Sequence, residues 1–134
     1  MFTYQHKLRV RYGDTDQMGF VYYGNYGYYY EQARAEAIRH LGITYREIEL
    51  SGITMPVTRM NIKFIQPAVY DEMLTIRTSI PHLPNRIIIF QYEVINERGK
   101  RINEGETHLA FINKNSGKIQ AAPFVLLDKL KPYF

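Results

Sequence analysis

Residues 13–42 read GDTDQMGFVYYGNYGYYYEQARAEAIRHLG, and their period changes partway through. Over the first part there is no alternation, and Gly13, Gly19 and Gly24 with Asp14 and Asp16 mark a loop with special backbone needs. From there Tyr26, Tyr29, Tyr30, Ala33, Ala37 and Leu41 recur on one helical stripe, while Glu31, Gln32, Glu36 and Arg39 lie off it. The spacing predicts a helix over about residues 25–41, with Asn25 as its N-cap and Gly42 just past its end. Such a helix spans roughly 25 Å, so a sheet that covers its apolar stripe has to curl around it.

Working outward, residues 4–12 alternate, with Leu8, Val10 and Tyr12 on one face and Lys7, Arg9 and Arg11 on the other. This is a half-buried strand with a basic outer face. After the helix, Thr44-Tyr45-Arg46-Glu47 reads as a capping box that opens a short second helix. The remainder is strand-like. Met60, Ile62 and Phe64 alternate with Asn61 and Lys63, and Pro56 implies a bulge or an edge position there. Leu74, Ile76 and Ile80 mark the next strand. Ile88, Phe90, Tyr92 and Val94 form one face of a third, with Ile87 and Ile89 on its other face, and Leu109 and Phe111 belong to a fourth. Turn residues separate them at Gln66-Pro67, Leu83-Pro84-Asn85, Glu97-Arg98-Gly99-Lys100 and Asn115-Ser116-Gly117, and Pro123 to Leu130 closes the chain as a short helical turn. Connections this short favour antiparallel neighbours, so the expected architecture is α+β, one antiparallel sheet on one helix in a single domain over residues 1–134. Ile87 and Ile89, apolar on the outer face, hint at a second subunit.

Composition narrows the chemistry. With 134 residues, 46% hydrophobic and 22% charged, the chain has the make-up of an ordinary globular domain, which excludes collagen-like, disordered and coiled-coil classes. Cysteine is absent, which excludes a disulfide framework, a thiolate nucleophile and a cysteine-based zinc site. No apolar run reaches the ~18 residues of a membrane span, and the N-terminus lacks a secretory signal, so a soluble cytoplasmic protein is expected. The surplus of four positive charges is spread over separate pairs such as Arg9/Arg11 and Arg59/Lys63, which suits solubility and gives no reason to expect nucleic acid. His6, His40, His82 and His108 have no metal-ligand spacing, no serine has a nucleophile-elbow context, and no phosphate-binding glycine motif is present. Neither metal nor cofactor is expected. What stands out is tyrosine: 12 in all, with Tyr22, Tyr23, Tyr26, Tyr28, Tyr29 and Tyr30 clustered around the loop-to-helix junction.

That junction carries the candidate chemistry. The first N–H groups of a helix have no intrahelical acceptor and bear partial positive charge, so an oxygen that becomes negative in a transition state is stabilised there. A neighbouring carboxylate supplies a nucleophile or a general base. The common role of an Asp-x-Asp loop is local, an Asx-turn and a complement to the helix dipole, and both readings stay open from the residues alone. Tyr26, Tyr29 and Tyr30 lie where packing explains them; Tyr22 and Tyr23 lie where a ring can line a pocket, and Tyr28 falls off the stripe.

The run Arg11-Tyr12-Gly13-Asp14-Thr15-Asp16, then Gly19-Phe20-Val21-Tyr22-Tyr23-Gly24-Asn25-Tyr26, then Tyr30-Glu31-Gln32-Ala33-Arg34, resembles the signature of the 4-hydroxybenzoyl-CoA thioesterase-like hotdog family. It is especially similar to the bacterial acyl-CoA thioesterase branch that includes the Tol-Pal-associated type. Gln66-Pro67-Ala68 and Asp71-Glu72-Met73-Leu74 fit the same family. The resemblance implies a curled antiparallel sheet of about five strands wrapped around the long helix, dimers formed by sheet extension, and often homotetramers. It implies hydrolysis of an acyl-CoA or acyl-carrier thioester, with Asp16 catalytic, an oxyanion site at the backbone N–H of Tyr23, and Tyr12 as an active-site tyrosine. Gly24 and Asn25 would meet the substrate, and Arg59 and Arg86 would hold the nucleotide end of coenzyme A. The branch usually carries His at the position of Tyr23, so its absence favours the aryl-CoA-type arrangement over a His-assisted one. Two other readings of the same fold remain. One is a non-catalytic acyl-thioester-binding protein. The other is a dehydratase, which needs a His–acid pair that a chain without His between His6 and His40 does not supply near the helix.

Overall fold

The basic-faced alternation near the N-terminus forms β1 (Phe2–Arg9), and the tyrosine-rich stripe forms α1 (Asn25–His40). A short helix α2 (Tyr45–Leu50) follows, opened by Thr44, whose Oγ1 accepts the Glu47 N–H at 3.1 Å. Then come β2 (Ile53–Thr54), β3 (Val57–Phe64), β4 (Met73–Ile80), β5 (Ile87–Ile95), β6 (Arg101–Ala110) and β7 (Ile112–Asn113), and a last helix α3 (Phe124–Leu130). The computed structural model describes all 134 residues. Five strands form one antiparallel sheet in the order β1-β4-β5-β6-β3, and β2 pairs with β7 apart from it.

One face of the sheet is apolar because the strands alternate in step. Leu74, Ile76 and Ile80 of β4 and Ile88, Phe90, Tyr92 and Val94 of β5 are fully buried, and they meet the stripe of α1. Each such side chain adds about 1.5–3 kcal/mol by leaving water. Ala33 and Ala37 keep the helix close to the sheet. A close approach is at Tyr30, whose ring stacks on Tyr92 with centroids 4.1 Å apart and planes within 5°. It leaves no space for a side chain on the strand below: a Cβ on Gly105 would stand 2.4 Å from the Tyr30 hydroxyl oxygen. Glycine in the middle of β6, ordinarily a weakness in a strand, is here what lets the helix sit down. The hydroxyls of this stacked pair are satisfied within the core, Tyr30 donating to Asn103 Oδ1 and Tyr92 bonding Thr107 Oγ1 at 2.7 Å.

The structure departs from the sequence expectations at three places. The strand ends at Arg9, and Tyr12 opens a single 3₁₀ turn (Tyr12–Asp14), where it is 79% exposed rather than in line with Leu8 and Val10. Gly24, not Asn25, is the N-cap of α1, because Asn25 is already helical and its side chain turns back to the loop. Met60 and Phe64 alternate correctly yet stay exposed, since β3 is the sheet's last strand and nothing in this chain covers its outer edge. The register shift between Val57 and Arg59, next to Pro56, is the bulge the proline implied. Gly42, at φ +90°, ends α1 in the left-handed conformation that glycine tolerates best.

Candidate active site

The loop between β1 and α1 is held at both sides. Val21 N–H donates to Ala68 O at 2.9 Å, which ties the loop to the β3–β4 connection. Asp16 N–H donates to Phe20 O at 2.9 Å, and Gly19 N–H returns to Asp16 O at 3.0 Å, closing a tight turn that Gly19 enters at φ +83°. Within that turn Met18 N–H donates to Asp16 Oδ1 at 2.9 Å, an Asx-turn. Asp16 Oδ2 has no hydrogen-bond partner in the protein. The local role and the chemical role are therefore compatible: one carboxylate oxygen fixes the rotamer and the other is free.

Asp14, two residues earlier, is engaged quite differently. Its Oδ2 accepts from Arg11 N–H at 3.0 Å and from the Tyr29 hydroxyl at 2.8 Å, and its carbonyl oxygen accepts from Tyr22 N–H at 2.9 Å and Asn25 Nδ2 at 2.8 Å. Burial and the adjacent Asp14 carboxylate both push the Tyr29 hydroxyl far above the ordinary tyrosine range, so it stays protonated and donates. Both aspartates are half-buried, but of the two only Asp16 lines a cavity.

That space has two parts. A mostly apolar cavity of about 310 Å³ runs along Met18, Phe20, Tyr23, Tyr26 and Phe64, with Asp16 in its wall. On the other side of Asp16 lies a wider hollow of about 790 Å³, bordered by Tyr12 and Tyr70, whose rings meet edge to face at 5.6 Å. The chain then enters α1. Tyr22 N–H is bound to Asp14, and Asn25 N–H to Tyr22 O, but the N–H groups of Tyr23 and Gly24 have no acceptor in the protein. They are the free donors that a helix start offers an incoming oxygen. The Tyr22 ring lies against Gly24, where a Cβ would come within 2.8 Å of it and the exposed ring would have to shift.

Asp16, Tyr23, Tyr12, Gly24 and Asn25 thus gather at one junction, although the side-chain amide of Asn25 is engaged with Asp14. Arg59 and Arg86 do not join them within one chain. Arg59 pairs opposite His108 and Phe64 opposite Asn103, so Arg59 stands about 17 Å along β3 from the cavity. Arg86 lies by the same far end, its carbonyl accepting from Phe111 N–H at 3.3 Å. Sequence reasoning missed Phe64 and Phe20 as cavity walls. Phe64 belongs to the alternating face of β3, and it packs at the sheet edge against Tyr26, centroids 5.7 Å apart; Pro56, which marks the edge, was the available signal. No three His, Asp or Glu side chains cluster to hold a metal ion, and no helix is long and apolar enough to cross a membrane.

Comparison with known proteins identifies the family and the fold. Residues 18–103 match the thioesterase superfamily, 4HBT. The chain is 33% identical to the putative acyl-CoA thioesterase YneP of Bacillus subtilis, over 84% of this chain and 81% of that one. It is 29% identical to the acyl-CoA thioester hydrolase YbgC of Escherichia coli O157:H7, over 92% of each. Among solved structures, a DHNA-CoA thioesterase from Staphylococcus aureus superposes with a TM-score of 0.87 at 30% identity, covering 100% of this chain and 85% of that one. With the helix-wrapping sheet, the loop-to-helix junction and this likeness along nearly the whole chain, the protein belongs to the thioesterase superfamily and has its hotdog fold.

Proposed function

We propose that this protein is an acyl-CoA thioesterase, hydrolysing a thioester to the free acid and coenzyme A. The observation that carries the reading is that Asp16, with a free Oδ2, and Tyr23, whose amide is unpaired like that of Gly24, line one apolar cavity. The acyl group enters that cavity, and the carbonyl oxygen takes the N–H groups of Tyr23 and Gly24, which are strongest when it becomes an oxyanion. Asp16 Oδ2 either removes a proton from the attacking water or attacks the carbonyl carbon itself, forming an anhydride that water then cleaves to the free acid and the carboxylate; in both cases the C–S bond breaks and the thiol leaves. The exposed Tyr12 flanks the thiol side across Asp16. The names of the relatives, acyl-CoA thioester hydrolase and acyl-CoA thioesterase, support the same reaction class.

The reading extends to two copies of the chain. β3 is an unpaired edge with Val57, Met60 and Phe64 exposed along it. A second β3, laid antiparallel about the strand's midpoint, carries that copy's Arg59 toward this chain's Phe64. A basic side chain then stands near the mouth of the cavity, where the anionic end of coenzyme A needs one. The outer-face Ile87 and Ile89, half-buried in one chain, suit a further dimer-to-dimer contact. The reading also puts the protein in the cytoplasm, in keeping with its lack of cysteine.

A thiol-release assay over a panel of acyl-CoA and acyl-carrier thioesters tests it. Asp16→Asn is expected to lose turnover with the circular dichroism spectrum unchanged; wild-type rates in that variant, or tight binding without thiol release in the native protein, overturn it. Single turnover in heavy-oxygen water then separates the two roles of Asp16, because only a nucleophilic carboxylate donates its own oxygen to the first product.

A further inference from the structure

We propose that Asp14 is a positioning residue for the reaction, the tie that holds the Asp16 turn in register with the free amides at the start of α1. The proposal rests on the thioesterase reading of the site. Its basis is the bond set around one residue. Through Oδ2, Asp14 takes the Tyr29 hydroxyl from the second turn of α1 at 2.8 Å and the Arg11 N–H at 3.0 Å. Through its carbonyl it takes Tyr22 N–H at 2.9 Å and Asn25 Nδ2 at 2.8 Å. Four donors from three places in the chain (the end of the β1 segment, the approach to α1 and the body of α1) converge on it.

These bonds have a geometric consequence. Tyr22 N–H is directed to Asp14, and the next two amides, of Tyr23 and Gly24, are left free. Asp16 follows Asp14 by two residues, so the same anchor sets where its carboxylate stands. The distance between base and oxyanion donors is thereby governed by one residue that borders neither cavity. Tyr29 suits the anchoring role, since its ring is buried edge-on to Tyr26, centroids 5.6 Å apart, and only its hydroxyl reaches the loop. A tie of this kind matters because displacement of about 1 Å in a catalytic group costs up to ~100-fold in rate.

Tyr29→Phe tests this with little disturbance, because the ring keeps its slot and only the hydroxyl goes. The expected result is a kcat lowered ~10-fold or more with KM within about twofold, and faster amide hydrogen exchange at Tyr22 and Asn25. Asp14→Ala should lose at least as much, and the double variant no more than Asp14→Ala alone, since both remove one tie. Asp14→Asn keeps an oxygen acceptor for Tyr29 and Arg11 and should restore most of the turnover. Wild-type kcat in Tyr29→Phe overturns the proposal, as does an Asp14→Asn enzyme as slow as Asp14→Ala. If the native protein hydrolyses no thioester, the functional reading fails. The tie is then judged by exchange alone, and unchanged protection of Tyr22 and Asn25 in Tyr29→Phe overturns it.

Discussion

Gly24 divides the tyrosine run into two populations that differ in burial, with Tyr28, off the helical stripe and 71% exposed, as the exception. Ahead of it Tyr22 and Tyr23 are 45% and 65% exposed, with their rings packed on each other at 4.6 Å. Behind it Tyr26, Tyr29 and Tyr30 are 2%, 5% and 0% exposed, and they fill the space between helix and sheet. The same side chain is used twice: once as a large amphipathic filler with a hydrogen-bonding tip, and once as an exposed ring beside the loop, where Tyr23 lines the cavity. The difference teaches that backbone period, more than residue type, decides the role, because only residues on the helical stripe can face the sheet.

The largest effect expected from that contrast is on Tyr30. Replacing it with Ala removes the ring stacked on Tyr92 and leaves a cavity over Gly105, and the cost should be about 3–5 kcal/mol, read by urea unfolding. A loss under ~1 kcal/mol would mean that the buried tyrosines are dispensable filler. Alkaline pH probes the same population without mutation. Burial raises the Tyr26 hydroxyl from 10.0 to about 12. Below pH 10 both folded and unfolded chains keep that proton. Between pH 10 and about 12 the unfolded chain releases it and the folded chain does not, so stability falls as pH rises, by roughly 2 kcal/mol for this residue. Unfolding curves across that window, read beside tyrosinate absorbance, check it; a flat stability breaks the contrast. Gly105→Ala comes next, at about 1–3 kcal/mol, because the added methyl meets the Tyr30 ring and the helix has to lift. If Tyr30→Ala rescues Gly105→Ala, the clash is the cause.

How much of this was legible in the residues depends on range. The α1 stripe and the strand alternation are local, so helix, strands, Gly42 at the helix end and Thr44 at the cap could all be read from spacing. Where a single residue's surroundings come from elsewhere in the chain, spacing fails. Asp14 and Asp16 are equivalent in an Asp-x-Asp reading. Only the placement of Tyr29 on the next element makes one of them a structural anchor, and the family resemblance, not the pattern, singled out Asp16. Tyr12 continued an alternation that the 3₁₀ turn cut short, for the reason that Asp14 pulls the chain around at Arg11. Arg59 and Phe64 share β3, but which of them reaches the cavity depends on register with β6, and in the proposed pair on a second chain.

The smallest effect on stability, and the sharpest test of the division at Gly24, belongs to Tyr23. Its ring is exposed and its amide is free, so ring and amide separate cleanly by mutation. Tyr23→Ala should leave stability within ~0.5 kcal/mol, because no core contact is lost. If the amide is what serves the reaction, Tyr23→Phe keeps kcat within about twofold, and Tyr23→Ala raises KM mainly for acyl groups flat enough to have packed on the ring. A kcat loss in Tyr23→Phe as deep as that of Asp16→Asn would assign the chemistry to the hydroxyl instead. The exposed tyrosines would then be reagents rather than walls, and the free amides at the helix start would need another partner.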